Sequence, residues 1–404
     1  MPIDRRTLLG AAAAATMALP RRSRAQASVV KLGVLNDQSG PYRDIGGMNS
    51  VAAVRQAVAE FAPGFQVEVI FADHQNKPDV GVSIARQWFD RDGVDCIFDV
   101  PTSSVGLAVN NVAREKNRLY INTGAATGDL TGPQCTPSTI HWSYDTYMLA
   151  RSTGGAMVAA GGDSWYFVTA DYVFGQQLQR DTTGFVTGAG GKVLGASLYP
   201  FPGTADFSSF LVSAQSSGAK VLGLANAGSD TVNSIKQAAE FGLTRKMKIA
   251  ALLMFINDVH GLGLEAAAGL YLTESFYWDM NDRTRAFTKR FQTRMPNVCP
   301  NMTNAGCYAG ALHLLKAIKD LGVAAKSDGA AVAARMKAMP TEDDAFGPGT
   351  IRADGLVLLP SYLFEVKSQA ESKYPWDYYK QVVATPADKA WKPLAEGGCP
   401  LVHS

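Results

Sequence analysis

DCIFDVPTSSVGLAVNNVAREKNRLYIN, Asp95 to Asn122, decides the fold. A short apolar run closes at Val100, and Pro101 breaks it. Thr102, Ser103 and Ser104 then sit at a turn, an amphipathic stretch follows to Glu115, and a second apolar run ends at Asn122. Strand, turn, helix and strand in that order make a βαβ unit, which requires a parallel pair.

The same alternation extends both ways. Upstream lie VVKLGVL (29–35) and FQVEVIFA (65–72), each followed by a helix-like stretch. Downstream, after a Gly-, Thr- and Pro-rich loop over 122–139, the pattern restarts with SWYFVTA (164–170), KVLGASLYP (192–200), AKVLGLANAG (219–228) and KIAALLMF (248–255). The expectation is α/β: two doubly wound parallel-sheet modules, each covered by helices on both faces. GLYLTESFYWD (269–279), two helical stretches and a strand-like SYLFEVK (361–367) complete the chain.

The ends carry a different message. DRRTLLGAAAAATMALPRRSRAQA, residues 4–27, places Arg5 and Arg6 before an Ala-rich apolar run that ends in a small-x-small site at Ala25–Ala27. That is the pattern of an export signal of the twin-arginine kind, cut after Ala27, with an apolar run too short to span a bilayer. Lys and Arg number 38 against 36 Asp and Glu, and losing the Arg-rich leader turns the balance slightly negative. No basic face for nucleic acid or anionic membrane is implied. In an oxidising compartment the five cysteines, Cys96, Cys135, Cys299, Cys307 and Cys399, allow at most two bridges with one left over. None is spaced as CxxC, so one structural disulfide is expected rather than a metal site, and spacing alone does not choose its partners.

Enzyme signatures are sparse. There is no GxSxG elbow, HExxH or phosphate-binding loop, and His74, His141, His260, His313 and His403 are scattered. GLGLEA at Gly261 lacks the strand junction and acidic partner of a dinucleotide site. The hydroxyls of PTSS leave three readings: a helix cap, an anion cradle at the positive end of a helix, or a nucleophile. From Phe98 to Glu115 the sequence supplies no His or Lys as a base. A second strand end, RLYINTGAATGDLTG (118–132), brings small residues whose backbone can approach a ligand in the same crevice.

Taken together, KLGVLNDQSGPYRDIGG, PTSSVGLAV, LYINTGAATGDLTG, TADYVFGQQLQRDT and TADFSSFLVSAQSSGAKVLGLANAGSDTVNSIKQA resemble the type I periplasmic solute-binding proteins of the leucine/isoleucine/valine family. The tail, with IRADGLVLLPSYLFEVKS and GGCPLV, is similar to a subgroup that includes binders of aromatic acids. The resemblance implies two lobes, 28–143 with 276–350 and 144–275 with 351–404, joined by three crossings near Ser143–Tyr147, Ser275–Asp279 and Gly349–Asp354. It implies no catalysis and no cofactor or metal. The partners would be a small carboxylate and an inner-membrane ABC permease, and the chain would act as a monomer. It places Thr102 and Ser103 on the ligand carboxylate, with Ala125, Ala126 and Thr127 beside it, and Asp230 where amino-acid binders hold the ammonium. Phe174 stands where those binders often carry Tyr, which favours an aromatic acid over a hydrophobic amino acid. Tyr42, Tyr172, Tyr277 and Trp278 are further wall candidates, and Cys135 with Cys399 is the candidate disulfide. A secreted hydrolase using Thr102 or Ser103 is the rival expectation.

Overall fold

The computed structural model describes residues 29–61 and 64–402, so the expected leader lies outside the described residues. Five strands, β1 (Val30–Asn36), β2 (Val67–Asp73), β3 (Cys96–Asp99), β4 (Leu119–Asn122) and β5 (Thr139–His141), form a parallel sheet in the order β2-β1-β3-β4-β5. Helices α1 (Gly47–Phe61), α2 (Pro78–Gln87) and α3 (Ser103–Glu115) connect them. Because side chains alternate along a strand, the sheet feeds two cores. Cys96 and Phe98 enter the larger core, while Ile97 and Val100 pack with Trp88 and Phe89 on the other face.

The second sheet takes β6 (Ser164–Ala170), β7 (Lys192–Tyr199), β8 (Val221–Ala225), β9 (Lys248–Ala251) and β10 (Tyr271–Glu274), all parallel. Helix α4 (Thr146–Ala159) leads into them, and between them run α5 (Val173–Gly188), α6 (Ser208–Ser216), α7 (Ser229–Glu240), α8 (Ile256–Leu262) and α9 (Leu264–Ala267). Trp165 and Phe167 face one core, and Leu222 and Leu224 the other. The chain then returns through α10 (Asp282–Phe291), α11 (Met302–Leu321) and α12 (Gly329–Ala338), which cover the first lobe; Arg290 of α10 pairs with Glu60 of α1. Two doubly wound lobes are therefore present, as the alternation predicts.

The first two crossings fall at 142–145 and 275–281, and each ends on a helix cap. Asp145 accepts from the Met148 N–H at 2.7 Å, and Asn281 from the Thr284 N–H at 3.0 Å. The third differs from the expected Gly349–Asp354. Residues 350–358 instead fold as a hairpin of β11 (Thr350–Ile351) and β12 (Val357–Leu358), and Leu356 bridges in parallel to His141 at the edge of the first sheet. Gly355 makes this possible: its φ is +92°, and a Cβ there would lie 2.4 Å from the Thr139 carbonyl oxygen. The crossing comes at Leu359–Pro360, after which β13 (Ser361–Val366) and β14 (Tyr379–Thr385) extend the second sheet antiparallel.

The tail differs as well. Expected in the second lobe throughout, the chain beyond β14 goes back to the first. The Trp391 indole donates to the Leu359 carbonyl at 2.8 Å, and Cys399 is disulfide-bonded to Cys135 across 264 residues of sequence. Cys96, Cys299 and Cys307 are buried free thiols.

Candidate ligand-binding site

The carboxyl ends of both sheets face one interlobe cleft. On the first-lobe side, β3 runs out through Asp99 and Val100 at φ +78° and +57°. Left-handed backbone at a β-branched residue is strained, and a buried network holds it. The Asp99 carboxylate accepts from Asn36 Nδ2 at 2.9 Å and from Thr123 Oγ1 at 3.1 Å, and its burial raises its pKa. Gly124 then presses against this turn, since a Cβ on it would lie 2.7 Å from Pro101 Cα.

Thr102 and Ser103 are both fully buried, yet their hydroxyls differ. Thr102 donates to the Asn76 side-chain oxygen. Asn76 Nδ2 donates to Asp37 at 2.7 Å, and Asp37 in turn accepts from the backbone N–H of Gly40 at 2.6 Å and of Tyr42 at 2.8 Å. Thr102 thereby fixes the loop that carries Tyr42. Among the described residues the Ser103 hydroxyl has no hydrogen-bond partner, and no side chain caps α3. Buried polar groups are seldom left unpaired, so this hydroxyl and the first-turn N–H groups form an unspent donor set. Neither hydroxyl touches a histidine or carboxylate that would act as a base, and the hydrolase expectation finds no geometry among the described residues.

The neighbouring strand end behaves differently from its expectation. Ala125 spends its N–H on Asn122 Oδ1 at 2.9 Å and its carbonyl on Asn122 Nδ2 at 2.8 Å. The Thr127 hydroxyl accepts from the Asp129 N–H at 3.3 Å and caps the turn at 128–130. Ala126 is the member of this group that lines the cleft.

From the second lobe come Tyr172, which precedes α5, Phe174 in its first turn, Ala227 beyond β8, and Leu253 and Phe255 beyond β9. The lobes are in contact. Tyr42 and Tyr172 share a hydroxyl–hydroxyl bond of 2.6 Å, and the Phe201 ring stacks on both, with centroids 5.4 and 4.4 Å away. The Ser229 N–H donates to the Pro41 carbonyl at 3.0 Å. The space left between these side chains is about 10 Å³, room for about one water molecule. Among the described residues no charged one lines it.

Asp230 lies behind this wall. It accepts from the Tyr199 hydroxyl at 2.8 Å, and burial raises its carboxyl to about 6. Tyr277 and Trp278, expected at the wall, are elsewhere: both donate to the Trp376 carbonyl, at 3.2 and 2.9 Å, and Tyr277 packs on Tyr379. The antiparallel extension by β13 and β14 draws them away from the cleft. Sequence reasoning missed Ile45, Pro101, Gly124, Tyr144, Ala227, Leu253 and Phe255 as lining residues. All lie within a few residues of a strand's carboxyl end or in the loop that leaves it, which is the signal that would have found them.

Residues 29–371 match a family model described as periplasmic binding protein. A periplasmic binding protein from Burkholderia mallei is 47% identical, the match covering 92% of this chain and 99% of that one with a TM-score of 0.88. A branched-chain amino acid ABC transporter periplasmic ligand-binding protein from Burkholderia xenovorans is 37% identical over 92% of this chain and 99% of its own, with a TM-score of 0.80. An ABC transporter solute-binding protein from R. palustris, in complex with benzoate, shares the fold at 21% identity over 93% of this chain and 100% of its own, with a TM-score of 0.82. No curated protein sequence matches the chain. With two α/β lobes closed over a shared cleft and a family match across most of its length, the chain belongs to the periplasmic binding proteins.

Proposed function

We propose that this protein is the substrate-binding component of an ABC importer, capturing a small aromatic carboxylate between its lobes and delivering it to an inner-membrane permease. The observation that carries the ligand class is the cleft itself. Its wall is aromatic and uncharged, and beside it lies an uncapped helix end with an unpartnered buried hydroxyl. Helix N-termini and hydroxyls bind carboxylates without a counter-cation, and flat apolar walls suit an aromatic body. The closed space is far smaller than such a ligand, so capture requires the lobes to part and re-close, a hinge motion. Export with cleavage after Ala27, and action as a monomer, belong to the same reading.

Isothermal titration with benzoate, 4-coumarate, L-leucine and L-valine tests it. Binding of an amine-free acid with no binding of leucine or valine is expected. A hydrophobic amino acid is the second reading, favoured by the carboxylate of Asp230 near the cleft and by the designation of the 37%-identical relative. Saturable binding of leucine alone would establish it in place of the first. N-terminal sequencing of the exported protein is expected to begin at Ser28.

A further inference from the structure

At Tyr42 one lobe enters the other. Its segment, the loop after β1, is held on the first lobe by buried bonds: Asp37 accepts from the Gly40 and Tyr42 N–H groups and from Asn76 Nδ2, at 2.6, 2.8 and 2.7 Å, and Asn76 in turn receives the Thr102 hydroxyl. Asp37 is fully buried, and a Cβ on Gly40 would lie 2.7 Å from Asn76 Nδ2, so the loop is closely packed here. Tyr42 is thus mounted on the same frame as the start of α3.

The second lobe meets this segment with three contacts of different kinds. The Ser229 N–H donates to the Pro41 carbonyl at 3.0 Å, the Tyr172 hydroxyl pairs with that of Tyr42 at 2.6 Å, and the Phe201 ring stacks on Tyr42 with centroids 5.4 Å apart and planes 24° apart. Phe201 and Tyr172 are themselves stacked at 4.4 Å and 14°. Their loops are tied within the lobe: the Asp171 N–H donates to the Tyr199 carbonyl at 2.8 Å, and the Thr204 hydroxyl to the Pro200 carbonyl at 2.7 Å. The two rings make a socket, and Tyr42, filling it, is buried. Tyr42 and Tyr172 also wall the ligand enclosure, whereas Phe201 is not among the residues that line it.

We infer that Tyr42, Tyr172 and Phe201 form a closure latch, and that Phe201 is its positioning residue, which holds both tyrosine rings from outside the enclosure and so sets how long a captured ligand stays. This rests on the reading that the lobes part and re-close, and it is independent of which acid the cleft takes. A contact made between protein groups only in the closed state favours that state with or without ligand. It slows opening and leaves the first encounter of ligand with an open lobe untouched, so its loss is read in the release rate rather than the association rate. Stacked rings add to that hold beyond the area they bury.

The test places spin labels on the full chain at Met48→Cys in the first lobe and Phe241→Cys in the second, both positions being exposed and the three free thiols buried. Pulsed spin-resonance distances in the ligand-free protein are expected to show a short-distance population that Phe201→Ala shifts to longer distance and Phe201→Tyr, which keeps the ring, retains. In stopped-flow with whichever of benzoate, 4-coumarate, L-leucine and L-valine binds, Phe201→Ala is expected to release it roughly 10-fold faster at an unchanged association rate. A free protein found only at long distance, or distances that Phe201→Ala leaves unaltered, overturns the latch. So does a Phe201→Tyr variant as open as Phe201→Ala, which would trace the effect to a disturbed loop rather than to stacking. A lengthened distance in Phe201→Ala with no binding of any of the four acids leaves the latch standing and overturns the ligand reading instead. If Phe201→Ala does not fold, Tyr42→Phe decides: it keeps the ring and removes the hydroxyl bond, a smaller shift to longer distance is expected, and no shift overturns the latch.

Discussion

The two lobes are built on one plan and contribute different things to the cleft, although each brings aromatic rings to it, Tyr42 from the first and Tyr172, Phe174 and Phe255 from the second. The first offers neutral donors held by buried networks: Ser103 at an uncapped helix, Thr102 tied through Asn76 to Asp37, and a strained turn braced by Asp99. The second offers aromatic faces, Tyr172, Phe174 and Phe255, with Asp230 behind them. Such a division teaches that charge recognition needs preorganised backbone, whereas body and ring recognition needs surface that arrives on closing. The first lobe is also pinned by Cys135–Cys399, while Cys299, in the second lobe's core, is free.

The sharpest way to break the comparison is to stop the halves meeting. Gly228 has a φ of +61°, and a Cβ on it would lie 2.3 Å from the Pro41 carbonyl oxygen of the other lobe. That oxygen is rigid backbone, so Gly228→Ala props the cleft open and removes the Ser229–Pro41 bond. Affinity for the ligand is expected to fall roughly 10³-fold, about 4 kcal/mol, with a larger radius of gyration in solution scattering under saturating ligand. Unchanged affinity would mean that this contact is no part of the closed state.

Next in size is the staple. Cys399→Ser frees the tail from the first lobe and is expected to cost about 2–4 kcal/mol of stability. Chemical unfolding followed by tryptophan fluorescence reads it, Trp391 being buried on that tail and Trp165 inside the second lobe. The comparison predicts that reduction of the wild type lowers the first-lobe transition and leaves the second where it was. A uniform shift of both would show that the tail stabilises the pair as one unit.

Within the first lobe, Ser103 and Thr102 can be separated. Ser103→Ala removes an unspent hydroxyl and is expected to weaken carboxylate binding by about 1.5–3 kcal/mol with little change in the apo protein. Thr102→Val instead strips a donor from Asn76, so part of its cost appears as apo stability. If the two variants match in both measurements by titration and thermal melting, the structural distinction between the hydroxyls is wrong.

The legible and illegible parts of this chain follow from range. βαβ units announce themselves because strand and helix periods are local, and the PTSS turn could be placed at a strand end for the same reason. Tyr42, Ala126, Tyr172 and Phe174 lie at the cleft because strand carboxyl ends do. The third crossing was misplaced because β11 and β12 are two residues each, too short to carry a period, and because Leu356 pairs with His141 some two hundred positions away. Tyr277 and Trp278 follow a strand end like the others, but an antiparallel extension far along the chain captures them. Asn76, at φ +56°, gave no sign that it would receive Thr102.

Acid groups at the lobe junction give the smallest effect and the subtlest contrast. Asp99 in the first lobe has hydrogen bonds on both oxygens, whereas Glu274, at the end of β10 where the second crossing starts, accepts from Tyr379 at 2.9 Å and leaves its other oxygen unpartnered in the interior. Burial raises Glu274 to about 8, well above its ordinary value. A folded-state pKa raised in this way contributes stability that is complete below the unfolded value near 4.5 and is lost as pH climbs through 8. Asp145 and Asp258, each raised to about 7 by burial, act the same way but are mostly spent by neutral pH, and His74 and His141, pushed down to about 4 by burial, change the balance only below their ordinary range. Between pH 7 and 8 Glu274 therefore dominates, and the wild type is expected to lose roughly 1 kcal/mol there. Glu274→Gln should flatten that slope in urea titrations at the two pH values. A slope as steep in the variant as in the wild type would place the titrating group elsewhere and leave the junction carboxyl a spectator.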